Sequence, residues 1–502
     1  MDNAYTRDAL FPLGFLAIGV LTAALFLFRR DDELPLHNDK APTDLFYTNA
    51  KKRFSNAAAD MLESGFGKAR KTFLLMTDYG PRYIVPPEYA QDLQNHRSIT
   101  SHGIIDENLH SNIPGLEIFK MDSYNGRLLR SVIRKKLTGI PLGGLTGTMS
   151  NETALALADL FTDNPDWHEI GVRDTILELI ARVTTRVFWG EQLSLNKAWL
   201  CVIKEYTKMA SMAAEQLHFW PKSLRPLVHW SLPIFRKLRS VLAETRSLLG
   251  LVLEKRKETP GMRTEGNPDF LALVEWLDEL SAGKEYDPAL IHLAFFFVSL
   301  HTATDMLSQV VFDICGREQL VRQLREEITS VISQDGGLGK GSLEKLKLLD
   351  SVMKESQRLK PAAIVGMQRK AKKDFHLPDG TRIAKGRQLM VPVHRMWDDS
   401  IYPNAQEFVP DRFLKLRQIP GQEDLHQCVS TSPDHMGFGY GVYACPGRFF
   451  AVHEIKIVLC HLLLKYDMKL VNGRPTPQKH GVMFAANMLG RISIRRRQEI
   501  SI

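Results

Sequence analysis

The stretch Phe438-Gly439-Tyr440-Gly441-Val442-Tyr443-Ala444-Cys445-Pro446-Gly447 decides how this chain is read. Gly439 and Gly441 free the backbone ahead of a lone cysteine. Pro446 suits the first position of a helix, and Arg448 to Lys465 continues with Phe449, Phe450, Val452, Ile455, Ile457, Val458 and Leu462 at largely helical spacing. Cys445 is thereby placed at a helix amino terminus, where free amides and the macrodipole favour thiolate over thiol. Such a sulfur is a strong metal ligand or a nucleophile. A buried inert cysteine is the plainer reading of an isolated residue, and the ordered Phe, Gly, Gly and Pro-Gly around this one argue against it.

Upstream, Pro361 ends a helix that Ser342 can cap and that runs to about Leu359. Glu355 and Arg358 lie three apart on it, so carboxylate and guanidinium share one face and can reach a third group. Alone, the pair reads as a surface salt bridge. Further upstream, Asp287-Pro288 is a good helix start, and the run from Ala289 to about Cys315 is apolar nearly all round, which places it across the protein interior. Its middle, Ser299-Leu300-His301-Thr302-Ala303-Thr304-Asp305, is polar. Hydroxyls bonding back to helix carbonyls and a satisfied core histidine would account for that cluster in structural terms.

Helical patterns also cover Thr153 to Phe161, Asp174 to Phe188, Ile234 to Lys257 and Pro268 to Leu280, while Leu74 to Val85 and Thr381 to Val393 read as strands. The fold class is mainly α with small β-sheets. The chain has 502 residues, 44% hydrophobic and 24% charged, with 65 Lys plus Arg against 57 Asp plus Glu. That composition supports a large core and excludes a disordered or fibrous protein. The surplus of +8 is mild and dispersed, so no nucleic-acid partner is expected. Five dilute cysteines without a Cys-x-x-Cys pair exclude a disulfide framework and a structural zinc site.

From Ala9 to Phe28 there are 20 residues without a charge, enough at about 1.5 Å per residue to cross a bilayer. A cleaved signal peptide usually has a shorter apolar run, so a membrane anchor is expected. Arg29 and Arg30 follow it directly and keep the body cytosolic. The expected organisation is an anchor over 1–30, a linker over 31–42 and one domain over 43–502.

The cysteine loop resembles the haem-ligand loop of the cytochrome P450 family, Phe-x-x-Gly-x-(Arg or His)-x-Cys-x-Gly. Glu355-Ser356-Gln357-Arg358 resembles the family's helix motif, and Phe408-Val409-Pro410-Asp411-Arg412-Phe413 its Phe-x-Pro-x-Arg-Phe, in the same order. With the anchor and the long central helix the resemblance covers essentially the whole chain. Cys445-Pro446-Gly447-Arg448-Phe449-Phe450-Ala451 and His301-Thr302 look like fungal secondary-metabolite members of terpenoid type. The resemblance implies the cytochrome P450 fold with one transmembrane helix, and haem b (iron protoporphyrin IX) with Cys445 as axial thiolate. It implies a charge cluster of Glu355, Arg358 and Arg412. Thr302 matches the threonine that holds oxygen and relays protons; His301 stands where the family has an acid and is a second catalytic candidate, since an imidazole titrating near neutrality can carry a proton, and Val298 or Ser299 stands where the family has a small residue. Arg369, together with Arg130 or Arg134, is implied to meet the haem propionates. Phe438 frames the loop, and Tyr443 replaces the loop's usual Arg or His.

The implied reaction inserts one atom of O2 into a small hydrophobic substrate by hydroxylation, epoxidation or multistep oxidation. Electrons would come from an NADPH-cytochrome P450 reductase, since no Gly-x-Gly-x-x-Gly follows a strand here. The implied location is the endoplasmic reticulum membrane, single-pass, with membrane lipid as a further partner. A membrane-anchored haem sensor or electron carrier without oxygen activation is the alternative, motivated by the altered Val298 to Thr302 segment. A cysteine-nucleophile hydrolase would need His and Asn or Asp around Cys445, for which the sequence offers no independent support.

Overall fold

The computed structural model describes residues 34–42, 44, 46–67, 71–259 and 271–498. The chain divides into a short unit, Met1–Leu36, and the body, His37–Ile502. The apolar run from Ala9 to Phe28 lies outside the described residues. The body's longer helices are α1 (Thr48–Phe66), α2 (Tyr124–Lys136), α3 (Thr146–Leu160), α4 (Val172–Ser194), α5 (Lys197–His218), α6 (Pro233–Glu258), α7 (Pro288–Ile314), α8 (Glu318–Asp335), α9 (Lys347–Leu359) and α10 (Arg448–Lys465).

Helix α7 organises them. Asp287 Oδ1 accepts the N–H groups of Ala289 and Leu290 at 3.0 and 3.1 Å, and 27 residues of helix follow. Length and composition would let α7 cross a membrane, but it packs against α2, α4, α5, α6, α9 and α10. Leu293, Phe296, Leu300, Leu307 and Phe312 are wholly buried along it. The hydroxyls of Ser299 and Thr304 donate to Phe295 O and Leu300 O, at 2.8 and 2.7 Å.

Three bonds between an imidazole and a hydroxyl tie neighbouring helices. His453 and His461 of α10 meet Thr146 and Ser150 of α3 at 2.9 and 2.8 Å, and His301 of α7 meets Thr207 of α5 at 2.9 Å. Burial holds all three imidazoles neutral, pulling His301 and His453 to about 4 and His461 to about 3.

The main sheet carries β1 (Phe73–Thr77), β2 (Gly80–Ile84), β3 (Ile99–Thr100), β5 (Val365–Ala371) and β6 (Gln388–Pro392). They lie in the order β1, β2, β6, β5, β3. β2 and β6 run parallel, and β6 and β5 antiparallel with a register shift between Val365 and Met367. A second sheet pairs β7 (Tyr466–Leu470) with β8 (Arg491–Arg496), and β8 with β4 (His168–Gly171).

Two helix starts differ from the sequence expectation. Ser342 belongs to a separate short helix, Lys340–Lys345, where its Oγ accepts Gly339 N–H at 3.1 Å. Helix α9 begins only at Lys347, capped from outside by Glu327 of α8, whose carboxylate accepts Leu348 N–H and Leu349 N–H at 2.7 and 3.0 Å. Likewise α10 begins at Arg448 rather than Pro446, with Gly447 as its cap residue.

Glu454 lies in the core of α10, where its Oε1 accepts Thr184 Oγ1–H at 2.8 Å. Burial pushes this carboxyl from 4.5 up to about 8. The folded chain therefore keeps a proton that the unfolded chain releases. The associated stability is fully present below about pH 4.5 and is lost as the pH rises through about 8. Glu454→Gln is expected to flatten the stability profile across that window and to raise the urea midpoint at pH 8 relative to the parent.

Candidate functional site

The cysteine loop is closed by Cys445 N–H donating to Phe438 O at 2.8 Å. Gly439 and Gly441 have φ of 72° and 75°, and a Cβ on Gly441 would stand 2.6 Å from Gln94 O. A Cβ on Gly439 would come 3.2 Å from Gly366 O, and one on Gly366 would come 2.5 Å from Met436 Cβ. Strand β5 and the loop thus approach backbone to backbone, which only paired glycines allow. Arg448 Nη1 donates to Cys445 O at 2.9 Å, and its Nε to Val429 O at 3.0 Å.

Cys445 is accessible, yet protein walls it closely enough that desolvation raises its thiol. Backbone N–H groups of Gly447 and Arg448 oppose that shift and do not overcome it. Bound to a metal ion, this sulfur would be held as the thiolate.

Arg369 lies on the buried face of β5, whose side chains alternate between buried and half-buried. Its Nη1 and Nη2 donate to Gln368 O and Tyr440 O at 2.9 and 3.0 Å, and its guanidinium stands 4.8 Å over the Tyr443 ring. Nε is buried with no partner. Burial pulls this group down to about 10, so it stays a cation at neutral pH. A buried cation held only by carbonyls and a ring, with one N–H unmet, fits an anionic group of a cofactor beside the loop.

Tyr443 OH lies 3.1 Å from Thr100 Oγ1. Its ring meets His102 edge-on at 6.0 Å. His102 Nδ1 lies 2.7 Å from Asp122 Oδ1, which also takes Arg130 Nη2 at 3.2 Å. Arg130 is thus joined to the Tyr443 side through Asp122, a residue the sequence reading did not single out. Arg134 lies one turn further along α2 with its side chain exposed.

Glu355, Arg358 and Arg412 come together in the interior. Arg358 grips Glu355 with two parallel bonds, Nε to Oε2 at 2.8 Å and Nη2 to Oε1 at 2.9 Å. Arg412 Nε reaches both Glu355 oxygens at 3.1 Å, and Val409 N–H adds a bond at 3.0 Å. Glu355 and Arg358 are 0% exposed. The remaining guanidinium donors meet the carbonyls of Met396, Ala405, Glu407, Pro403 and Asn404.

Across α7, Val298 is 40% exposed and Thr302 is exposed one turn later. These are accessible positions in the middle of an otherwise buried helix, four apart and therefore on one face. Thr302 Oγ1 donates to Val298 O at 3.0 Å, which leaves its oxygen free to accept. His301 is directed to Thr207 instead, because consecutive residues of a helix point about 100° apart. Asp305, three residues beyond Thr302, takes Arg173 Nε at 2.8 Å and Ala486 N–H at 3.3 Å on the same oxygen. The i, i+3 spacing was the signal that could have marked it.

The chain is similar to known proteins over most of its length. The family model described as Cytochrome P450 matches residues 77–490. The chain is 40% identical to cytochrome P450 monooxygenase esdpI of Penicillium shearii, over 99% of each chain. It is 40% identical to cytochrome P450 monooxygenase adrA of Penicillium rubens, over 96% of this chain and 95% of the relative. It is also 40% identical to cytochrome P450 monooxygenase pyr3 of Aspergillus fumigatus, over 91% of this chain and 88% of the relative.

Glu355→Gln removes the charge that two buried guanidiniums share. A loss of about 3–5 kcal/mol is expected, read as a collapse in the yield of folded protein and a lowered denaturation midpoint. Lys415→Ala, at the exposed Lys415–Asp411 pair, is expected to change stability by no more than about 1 kcal/mol.

Proposed function

The chain belongs to the cytochrome P450 family of haem-thiolate monooxygenases, and we propose that it inserts one atom of O2 into a small hydrophobic substrate of fungal secondary metabolism, of terpenoid type. The observation that carries this reading is the accessible, protein-walled Cys445 sulfur beside a buried Arg369 whose Nε–H lacks an acceptor. Cys445 Sγ would hold the iron of haem b, with the N–H groups of Gly447 and Arg448 directed at the same sulfur. Arg369 would take a propionate. Arg130 and the Tyr443 hydroxyl, tied through Asp122, His102 and Thr100, would support the same edge. Arg134 and Phe438 complete the set, Phe438 by closing the loop through its carbonyl.

When bound, the haem supplies reductive cleavage of the O–O bond, promoted by electron donation from its thiolate ligand. The chain's own part is to position and to move protons. Thr302 keeps its hydroxyl hydrogen on Val298 O, so its oxygen accepts from water and can pass a proton along that water. His301, neutral and bonded to Thr207, would hold α7 against α5 rather than take part in proton delivery. Val298 offers apolar surface beside Thr302, so substrate binding would be driven by burial at about 25 cal/mol per Å2.

The redox partner would be NADPH-cytochrome P450 reductase, which oxidises NADPH while the second oxygen atom leaves as water. The Ala9–Phe28 run supports a single-pass anchor in the endoplasmic reticulum membrane with the body, 43–502, on the cytosolic side of the 31–42 linker.

Purified parent protein is expected to give a thiolate-type ferrous carbon monoxide band, and Cys445→Ala to lose it. With matched reductase and an apolar substrate panel, Thr302→Val is expected to lower product per NADPH by roughly tenfold or more. An intact band without product across the panel would instead favour a haem sensor or electron carrier.

A further inference from the structure

His301 stands where the resemblance implies an acid, and its ring is turned to Thr207 at 2.9 Å. Burial, then Arg173 and Lys208, hold that ring neutral. A proton passed on by Thr302 therefore has to start from another group. One carboxyl lies on the same face of α7. Val298, Thr302 and Asp305 stand at i, i+4 and i+7, and at about 100° per residue they fall within a sector of about 60°. Val298 and Thr302 are exposed in the middle of a buried helix, and the Asp305 side chain keeps 15% of its surface open.

The two oxygens of Asp305 are not equivalent. Oδ1 accepts both Arg173 Nε–H at 2.8 Å and Ala486 N–H at 3.3 Å. Among the described residues no donor meets Oδ2. The two donors on Oδ1 are themselves tied together, because Val172 N–H donates to Gly490 O at 3.0 Å and so fixes the start of α4 to the segment that carries Ala486. Oδ2 is left as the atom that can take a proton. Thr302 and Asp305 are three apart, with Cβ atoms about 5–6 Å from each other, a gap that one water spans with two bonds of about 2.8 Å.

The surroundings allow that proton to be held. α4 brings Arg173, the carboxy-terminal segment brings the Ala486 N–H, and α5 brings Lys208 only beyond the neutral His301. Burial outweighs Arg173 and raises the Asp305 carboxyl above the usual carboxylate range.

We propose that Asp305 is the acid that serves Thr302: its Oδ2–H gives a proton to a bridging water, that water protonates Thr302 Oγ1, and Thr302 releases the hydrogen it holds on Val298 O into the substrate cavity. Each proton moves from oxygen to oxygen, so no electron travels along this chain. The carboxylate left behind is held by Arg173 and the Ala486 N–H until solvent returns a proton through its open edge. This role rests on the monooxygenase reading above.

Asp305→Asn keeps an oxygen for Arg173 and Ala486 and loses the proton, which separates the acid from the strut. In full-length haem-loaded enzyme with matched reductase and the panel substrate that gives most product, Asp305→Asn is expected to lower product per NADPH at least about fivefold. It is expected to raise the ratio of product rates in H2O and D2O at least about twofold, with the carbon monoxide band and the denaturation midpoint unchanged. The double variant with Thr302→Val is expected to lose no more than Thr302→Val alone, because both residues serve one proton. Additive losses, an unmoved isotope ratio or undiminished coupling in Asp305→Asn overturns the proposal. A second readout needs no turnover: infrared spectra of the haem-loaded protein as the pH is lowered from about 8 to about 5. A protonated-carboxyl band that Asp305→Asn removes and Thr302→Val shifts is expected, while the band of Glu454, pushed up to about 8, stays. No such band, or one that Thr302→Val leaves in place, overturns the proposal. Should Asp305→Asn not take up haem, Asp305→Glu is read instead; its band is expected to move, and a fixed band overturns the proposal. If the parent makes no product across the panel, the monooxygenase reading fails, and the infrared band decides the Asp305–Thr302 link by itself.

Discussion

One buried carboxylate organises the region under the cysteine loop. Glu355 carries its charge where no water reaches it, and it persists there because two guanidiniums and the Val409 N–H converge on its two oxygens. Replacing such a group by well-packed apolar side chains often costs nothing, so its contribution is geometric. Arg358 and Arg412 spend their other donors on carbonyls from Met396 to Glu407, pinning an irregular stretch that has few backbone partners of its own. That stretch then holds the start of the loop: Arg395 pairs with Asp434, Tyr402 OH donates to Asp434 O at 3.3 Å, and the His435 ring stands edge-on to Phe413 at 5.5 Å. The position of Cys445 is thus inherited from a charge many residues earlier.

Much of this was legible in the sequence because it is local or carried by motif. The Asp287-Pro288 start, the apolar length of α7 and its hydroxyls bonding back to carbonyls follow from residues within one turn of each other. The Glu355, Arg358 and Arg412 set came from a resemblance whose spacing could be matched residue by residue. What stayed hidden depends on which elements pack together. No local pattern says that Glu327 caps α9, that Asp122 joins Arg130 to the Tyr443 side, or that His301 faces Thr207 rather than sharing the exposed face of Thr302.

Arg369 is a buried cation that keeps an N–H without an acceptor, a state folding tolerates poorly unless something else completes it. In the proposed reading that partner would be an anionic group of the cofactor, beside the strand and the loop that enclose the guanidinium.

The imidazole–hydroxyl bonds that join α10 to α3 and α7 to α5 pair groups without net charge. Added electrolyte shortens the Debye length from about 8 Å at physiological strength to about 3 Å at 1 M and so weakens attraction between exposed ions, and it has little hold on dipoles packed out of water. Brine should therefore loosen the many carboxylate–guanidinium contacts around the rim while the central staves keep their register, so that a salted preparation frays from its margins inward.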